Sequence, residues 1–195
     1  MIFTELNQGN QERAIAEIRD NDGYLDYEWY EPLREDFEAI LFILGFYSVK
    51  TYFSGFSSQG DGACFTAKYE YGKGSVKAIK KFTPLDDELH SIAQRLQDIQ
   101  AKVIYDLGIT IEHTSRYYHE KSVTVYLWSR RGLVSDDKLY EYDEEVTELI
   151  EELSSGYYKR LNEQYDYLMS DEAVKEHIIY NELEFDYEED DDENN

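Results

Sequence analysis

Residues 49–71 read VKTYFSGFSSQGDGACFTAKYEY, and this stretch decides the fold prediction. Two runs rich in β-branched and aromatic residues, 49–56 and 63–71, enclose a polar loop in which Asp-Gly stands just before the second run. Such a gap between two strand-like runs predicts a β-hairpin. A second pair of runs, 109–115 and 122–129, alternates apolar and polar residues and predicts a second hairpin.

Segments with helical spacing surround these hairpins. An apolar residue recurs every three or four positions at 11–20, 26–45, 86–107 and 137–169. Ser170 stands where it would cap a last helix over 171–181. We therefore predict one α+β domain, residues 1–185. It consists of an antiparallel sheet of about four strands, built from two hairpins and covered by helices, with an acidic helical subregion at 136–185.

The charge of the chain is its most unusual property. The 195 residues hold 43 Asp and Glu against 19 Lys and Arg, a net charge of −24, and residues 136–195 alone account for −19. The last ten residues, 186–195, contain seven acids and no base, which predicts a disordered acidic tail. So acidic a chain is a poor candidate for direct binding to nucleic acids or to anionic membranes.

Several kinds of site are disfavoured by residue content. A single cysteine, Cys64, excludes an intramolecular disulfide and a multi-thiolate zinc site, and the four histidines lack metal-ligand spacing. We expect no metal and no cofactor. The chain has no apolar run long enough to cross a bilayer and no signal-peptide pattern at its start, so we expect a cytoplasmic protein.

Catalysis by Cys64 is the weaker of two interpretations. A nucleophile–base pair would require the fold to bring Cys64 next to His113 or His119. Cys64 lies in an apolar strand, where a buried and inert thiol is the commoner outcome. The glycines of the loop at 57–62 favour a tight hairpin turn over a phosphate-binding loop, because the lysine and following helix of a P-loop are absent. We predict that the protein is not an enzyme and has no catalytic residues.

The strongest physical signal is an acidic row on the C-terminal helix, formed by Glu144, Glu148 and Glu152. Like charges four residues apart each cost roughly 0.2–0.5 kcal/mol in an exposed helix, and Lys138 and Lys159 only flank the row. Four helical residues rise about 6 Å, comparable to the phosphate spacing of a nucleic-acid strand. The row can therefore imitate a nucleic-acid backbone; a merely solvated acidic face is the alternative. The predicted partner-binding residues are Tyr140, Glu141, Tyr142, Asp143, Glu144, Glu145, Glu148, Glu151 and Glu152.

Three blocks of the chain are FSGFSSQGDGACF at 53–65, HTSRYYH at 113–119 and YDYLMSDEAV at 165–174. They resemble blocks in a family of small proteins encoded by tailed phages and prophages. The resemblance runs from about residue 28 to 185 and implies a phage origin. The family is largely uncharacterised and sometimes labelled antitoxin-like, so the resemblance implies no particular activity, and it does not include the acidic tail.

These observations lead to one main hypothesis and two alternatives. The main hypothesis is a phage counter-defence protein: a DNA mimic that inhibits a host restriction, CRISPR or recombination nuclease through its acidic surface. The first alternative is an antitoxin-type protein that neutralises a basic toxin. The second is a small-ligand binder or enzyme that uses the two hairpin turns. Its site residues would be Gln59, Asp61, Arg116, Tyr117 and His119.

Overall fold

The computed structural model describes residues 1–21 and 23–187. It divides into two compact units: unit 1 comprises Met1–Trp29 and Glu163–Asn195, and unit 2 comprises Tyr30–Asn162. Most of the predicted acidic tail, residues 188–195, lies outside the described residues. The prediction of a single domain over 1–185 stays a prediction.

Unit 2 contains the sheet. Its strands are β1 (Phe46–Phe53), β2 (Ala63–Glu70), β3 (Leu107–His113) and β4 (Val123–Ser129). All neighbours are antiparallel and the order is β1-β2-β3-β4, with β1–β2 and β3–β4 each forming a hairpin. The predicted α+β class, with a four-stranded antiparallel sheet of two hairpins, is confirmed.

Seven α-helices accompany the sheet in the described residues. They are α1 (Gln8–Arg19), α2 (Glu31–Leu44), α3 (Ser75–Phe82), α4 (Asp87–Lys102), α5 (Asp136–Tyr140), α6 (Asp143–Leu168) and α7 (Asp171–Tyr180). A short 3-10 helix also precedes α1, at Phe3–Glu5. None of the helices in this part of the chain combines the length and the apolar composition needed to cross a membrane.

Three helical predictions need correction. The helix predicted over 26–45 begins at Glu31, because residues 27–30 form a turn. The helix predicted over 86–107 ends at Lys102, because Ile104 and Tyr105 both take positive φ angles, 47° and 56°. The long helix predicted over 137–169 is divided into α5 and α6 by a turn at residues 141–142. The short helix α3 was not predicted. By contrast, the Ser170 cap is confirmed, since its hydroxyl accepts a hydrogen bond from the N–H of Ala173 at 3.3 Å.

The core of unit 2 lies between one face of the sheet and the helices. On β2 and β3 the inward positions alternate as period-two geometry requires, and they are occupied by Phe65, Ala67, Tyr69, Ile109 and Ile111. Phe37 of α2 stacks on Tyr157 of α6 with the ring centroids 4.3 Å apart, and its edge contacts Phe65. The inner stripe of α6 is buried as predicted, which fixes the acids of this helix on its outer side. Its residues in unit 2 are Val146, Leu149, Ile150, Leu153, Tyr157 and Leu161.

The buried side chain of Asp106, just before β3, binds the chain at the end of β4. Its fully buried carboxylate accepts hydrogen bonds from the N–H of Arg131 at 2.8 Å, the N–H of Leu133 at 2.9 Å and the hydroxyl of Ser129. Burial by itself would raise the pKa of a carboxyl. Here these donors outweigh burial and hold the pKa of Asp106 well below its usual range. Asp106 is therefore a structural anchor for the chain that leaves β4.

Unit 1 is built from both ends of the chain. Its buried cluster consists of Phe3, Leu6, Ala14, Val174, Ile178 and Phe185. The N–H of Phe185 donates to the carbonyl of Met1 at 2.9 Å. Tyr187 packs against this cluster, and its hydroxyl donates to Glu17 at 2.7 Å. The ordered chain thus continues past residue 186, where the tail was predicted to begin.

Candidate functional site

The acidic surface is carried by α5, the turn after it and the first half of α6. Because the apolar stripe of α6 is buried, Glu144 and Glu148 lie on the exposed side, whereas Glu152 is half-buried. Tyr140 is 79% exposed beside them. The other predicted acids range from exposed Glu141 to half-buried Asp143, Glu145 and Glu151. The predicted partner-binding residues therefore share one segment but differ in how much of each side chain a partner could reach.

The negative charge of the acidic row is partly neutralised at the Glu152 end by a cation. Arg95 of α4 donates to both carboxylate oxygens of Glu152, each at 2.8 Å. The hydrogen-bonded carboxylate of Glu152, together with the charges of Glu145 and Glu148, raises the pKa of Arg95. In the sequence Lys138 and Lys159 merely flank the row; the structure adds Arg95, a cation from another helix that reaches Glu152.

Neighbouring acids and rings are also occupied by cations. Lys138 donates to Glu141 at 2.5 Å. The ring of Tyr142 lies under two ammonium groups, with Lys102 at 5.6 Å and Lys138 at 5.2 Å from its centroid. Within the described residues, no Lys, Arg or His nitrogen lies within 4.0 Å of Glu144 or Glu148. These two carboxylates, one helical turn apart, form the open part of the acidic row.

The two hairpin loops press against each other in unit 2. A Cβ atom on Gly60 would lie 2.2 Å from the Tyr117 ring, and one on Gly62 would lie 2.5 Å from the Cα of His119. Gly60 also has a φ of +91°, a conformation that favours glycine. The glycines of the first loop are thus required by the close approach of the second loop.

The polar residues of these loops are largely engaged within the loops. Asp61 accepts hydrogen bonds from the N–H groups of Ser57 at 3.0 Å and Ser58 at 2.6 Å, so its carboxylate closes the turn. The Arg116 guanidinium lies 4.7 Å from the ring centroid of Tyr117. The Nδ1 atom of His119 accepts from the N–H of Lys121 at 3.1 Å. Of the five residues proposed here, Gln59 and Arg116 are exposed, and the other three are half-buried.

Sequence reasoning missed an aromatic and polar groove beside these loops. The groove has a volume of about 520 Å³, and its walls include Tyr52, Tyr118 and Arg34. Tyr52 and Tyr118 stack near-parallel with ring centroids 5.4 Å apart, and Lys50 lies 5.0 Å from the Tyr52 centroid. Arg34 is held by Glu31 and Glu38 of its own helix. The alternation of Lys50 and Tyr52 on β1 was visible in the sequence, but their meeting with Tyr118 depends on the sheet.

The candidate catalytic groups are placed in structural roles. Cys64 is fully buried on β2, and burial raises the pKa of its thiol to about 12. His113 forms a hydrogen bond through Nε2 to the carbonyl of Tyr117 at 2.8 Å. In the described part of the chain, no three His, Cys, Asp or Glu side chains are grouped so that they could hold a metal ion. A thiol with a raised pKa is a poor nucleophile.

The chain belongs to a family described as a domain of unknown function, DUF8835, whose model matches residues 29–171. The match includes the whole sheet, both hairpin loops and the acidic row, and it ends at the first residue of α7. Comparisons with curated proteins and with solved structures gave no match.

Proposed function

We propose that this protein is a non-enzymatic inhibitor of a basic, nucleic-acid-binding protein in a bacterial host cell. The resemblance to phage and prophage proteins favours a counter-defence role, with a restriction, CRISPR or recombination nuclease as the target. The net charge of −24 supports a cationic partner, because opposite charge accelerates association. The acidic row would occupy the groove that such a partner uses for a nucleic-acid backbone.

The open part of the acidic row carries this proposal. Arg95 and Lys138 compensate Glu152 and Glu141, while Glu144 and Glu148 stay exposed beside them. Two like charges one turn apart, neither with an ion-pair partner within 4.0 Å in the described residues, repel each other by roughly 0.2–0.5 kcal/mol. A cationic groove would remove that repulsion on binding. Exposed Tyr140 adds the kind of rigid aromatic contact that interfaces favour.

The test uses two variants that differ in what the structure says about their acids. E144Q/E148Q removes the open carboxylates, and E152Q removes one that is already paired with Arg95. A partner is first captured from bacterial lysate and then purified, and its affinity is measured at two salt concentrations with and without competing DNA. We expect competition with DNA, a large loss of affinity in E144Q/E148Q together with a flatter salt dependence, and little change in E152Q.

Two outcomes would contradict the proposal. Equal affinities of the wild type and E144Q/E148Q would exclude the acidic row from the interface. Simultaneous binding of DNA and this protein by the partner would exclude mimicry. A captured partner that is a basic toxin, neutralised by this protein, would instead favour the antitoxin-type alternative.

A small-ligand site at the hairpin loops is the second candidate function. The observation that favours it is the groove of about 520 Å³ beside two loops that hold each other in place. Pockets of this size take drug-sized ligands. A ligand found by thermal-shift screening should lose its effect in Y118A and keep it in E144Q/E148Q. The reverse pattern would exclude this groove.

A further inference from the structure

Unit 1 contains a groove of its own, here called the unit 1 groove, with a volume of about 420 Å³. It lies between the segment 24–29, the end of α6 and one side of α7. Five aromatic rings line it: Tyr24, Trp29, Tyr167, His177 and Tyr180. Most of these positions lie outside the matched residues 29–171, so the groove is not simply a feature of the family domain.

Part of this aromatic lining is fixed before any ligand arrives. The hydroxyl of Tyr24 donates to the carbonyl of Leu168 at 2.7 Å, and its ring meets His177 edge-on at a centroid distance of 5.0 Å. Tyr167 and Tyr180 are 50% and 87% exposed, so their rings remain available at the rim. A groove with a rigid wall and accessible rings binds a planar or aliphatic group at low entropic cost.

The charge of the unit 1 groove selects the sign of its ligand. Two of its lining residues, Asp26 and Glu176, are acidic, and among the described residues that line it there is no Lys or Arg. The surrounding unit 1 sequence holds 21 acids and three bases. Aromatic faces attract cations through the ring quadrupole, and nearby carboxylates add to that attraction. Anionic ligands are disfavoured by the same charges.

We infer that the unit 1 groove binds an arginine side chain of a basic protein partner. This inference rests on the proposed function, since it supplies a second contact for the same kind of partner. Arginine fits better than lysine because its guanidinium is planar, weakly hydrated and stacks on aromatic faces, while its five N–H donors can reach a carboxylate. The aromatic rings hold the guanidinium plane, and Asp26 or Glu176 accepts its hydrogen bonds.

The test measures ligand binding in the groove by the fluorescence of Trp29. The W128F variant leaves Trp29 as the single tryptophan of the full chain, so its fluorescence reports on the groove. The probes are a short, acetylated and amidated arginine-rich peptide and the same peptide with citrulline at every arginine position. We expect a saturable fluorescence change with the arginine peptide and binding about tenfold or more weaker with the citrulline peptide.

Matched variants separate the groove from the general acidity of unit 1. In the W128F background, D26N/E176Q and Y180A should each lower the affinity for the arginine-rich peptide by about three- to tenfold. The first control, E172Q/E184Q, removes an equal number of charges, two, from exposed positions outside the groove. The second control, Y27A, removes an exposed tyrosine that does not line the groove. Both controls should stay within about twofold of the parent, because they leave the rings and carboxylates of the groove in place.

Three results would overturn the inference. Equal binding of the citrulline peptide would show that the groove does not recognise a cation. An equal loss in E172Q/E184Q would show that the peptide senses net charge alone. Binding of free N-acetyl-arginine amide as tight as the peptide would assign the groove to a small molecule instead of a protein segment. E144Q/E148Q in the same assay should bind the peptide normally, so failure here and failure of the acidic row are distinguishable.

Discussion

Unit 2 holds 22 acids against 16 bases in 133 residues, whereas unit 1 holds 21 acids against three bases in 62 residues. In unit 2 many charges are paired inside the unit, as Arg95–Glu152, Arg130–Glu70 and Arg160–Asp86 show. Unit 1 has the pair Arg19–Asp171 and a buried cluster of only six residues. Acidic and basic residues are therefore nearly balanced in unit 2, whereas acids strongly outnumber bases in unit 1. Added salt should stabilise unit 1 more than unit 2, because it screens repulsion.

The largest expected effect would break unit 2 and show whether unit 1 survives. Phe65 is fully buried and contacts the rings of Phe37 and Phe46, so F65A should destabilise unit 2 by about 3–5 kcal/mol through lost burial and a cavity. Urea unfolding should be followed by Trp128 for unit 2 and by Trp29 for unit 1, each in a single-tryptophan background. A Trp128 transition that does not move would contradict the assigned core.

The next effect tests the contact between the hairpin loops. G60A combines a strained backbone with a clash against Tyr117, and should cost about 1–3 kcal/mol or more. G74A is the matched control, since Gly74 has nearly the same φ, +89°, but nothing within 4 Å of an added Cβ. The difference between their free energies of unfolding measures the loop contact. Equal values would mean that Tyr117 does not press on Gly60.

A smaller effect concerns the boundary of unit 1. Y187A removes a ring that stacks on Phe185 at 5.5 Å and lies 4.7 Å from the Arg13 guanidinium, so it should cost about 1 kcal/mol. Deletion of 188–195 should leave the melting temperature within a few degrees, because that run offers no apolar group to bury. Calorimetry of Y187A and of the deletion variant measures both changes in stability. Equal losses of stability would mean that the folded part of unit 1 extends beyond Tyr187.

A helix substitution should strengthen the molecule. Gly156 lies inside α6 with open space where a Cβ would stand. G156A should therefore stabilise the protein by about 0.5–1 kcal/mol, because alanine loses less conformational entropy in a helix. Chemical denaturation measures the gain. A loss of stability would contradict the open space at this position.

The smallest effect sharpens the charge comparison within α6 itself. E144Q/E148Q relieves the repulsion between the two acids but also removes the favourable charge of Glu144 from the first turn of α6, so its net effect on stability should stay within about 0.5 kcal/mol. E152Q breaks a half-exposed pair with Arg95 and should lower stability by about 0–1 kcal/mol. Denaturation midpoints at low salt measure both changes. A larger loss in E144Q/E148Q than in E152Q would contradict the view that Arg95 compensates one end of the row.

Local patterns in the sequence were sufficient for the two hairpins but not for the site. Within the first hairpin, β1 lies at Phe46–Phe53, three residues before the predicted run 49–56. The alternation at Ile109 and Ile111 and the Asp-Gly turn predict the hairpins, because both depend on neighbouring residues. Arg95 and Glu152 are 57 positions apart, and no spacing rule relates them. The contact of Tyr117 with Gly60 likewise exists only after the sheet has aligned two loops.

The same distinction explains the helical errors. The apolar stripe continues from α5 into α6, so periodicity alone predicts one helix across residues 141–142. Tyr142 there lies against Lys102 of α4 as well as Lys138, a contact that depends on tertiary packing. The unit 1 groove was missed for a related reason: its rings come from segments on both sides of unit 2 in the chain.

The burial of Cys64 makes its thiol a built-in probe for local opening of the sheet. A single thiol with a raised pKa, closed off inside β2, reacts with an alkylating reagent only while the strand is transiently exposed. Under conditions where reclosing is fast, the labelling rate therefore reports the free energy of that opening. No engineered probe is required, and because Cys64 lies in unit 2, the labelling rate reports on the sheet of that unit.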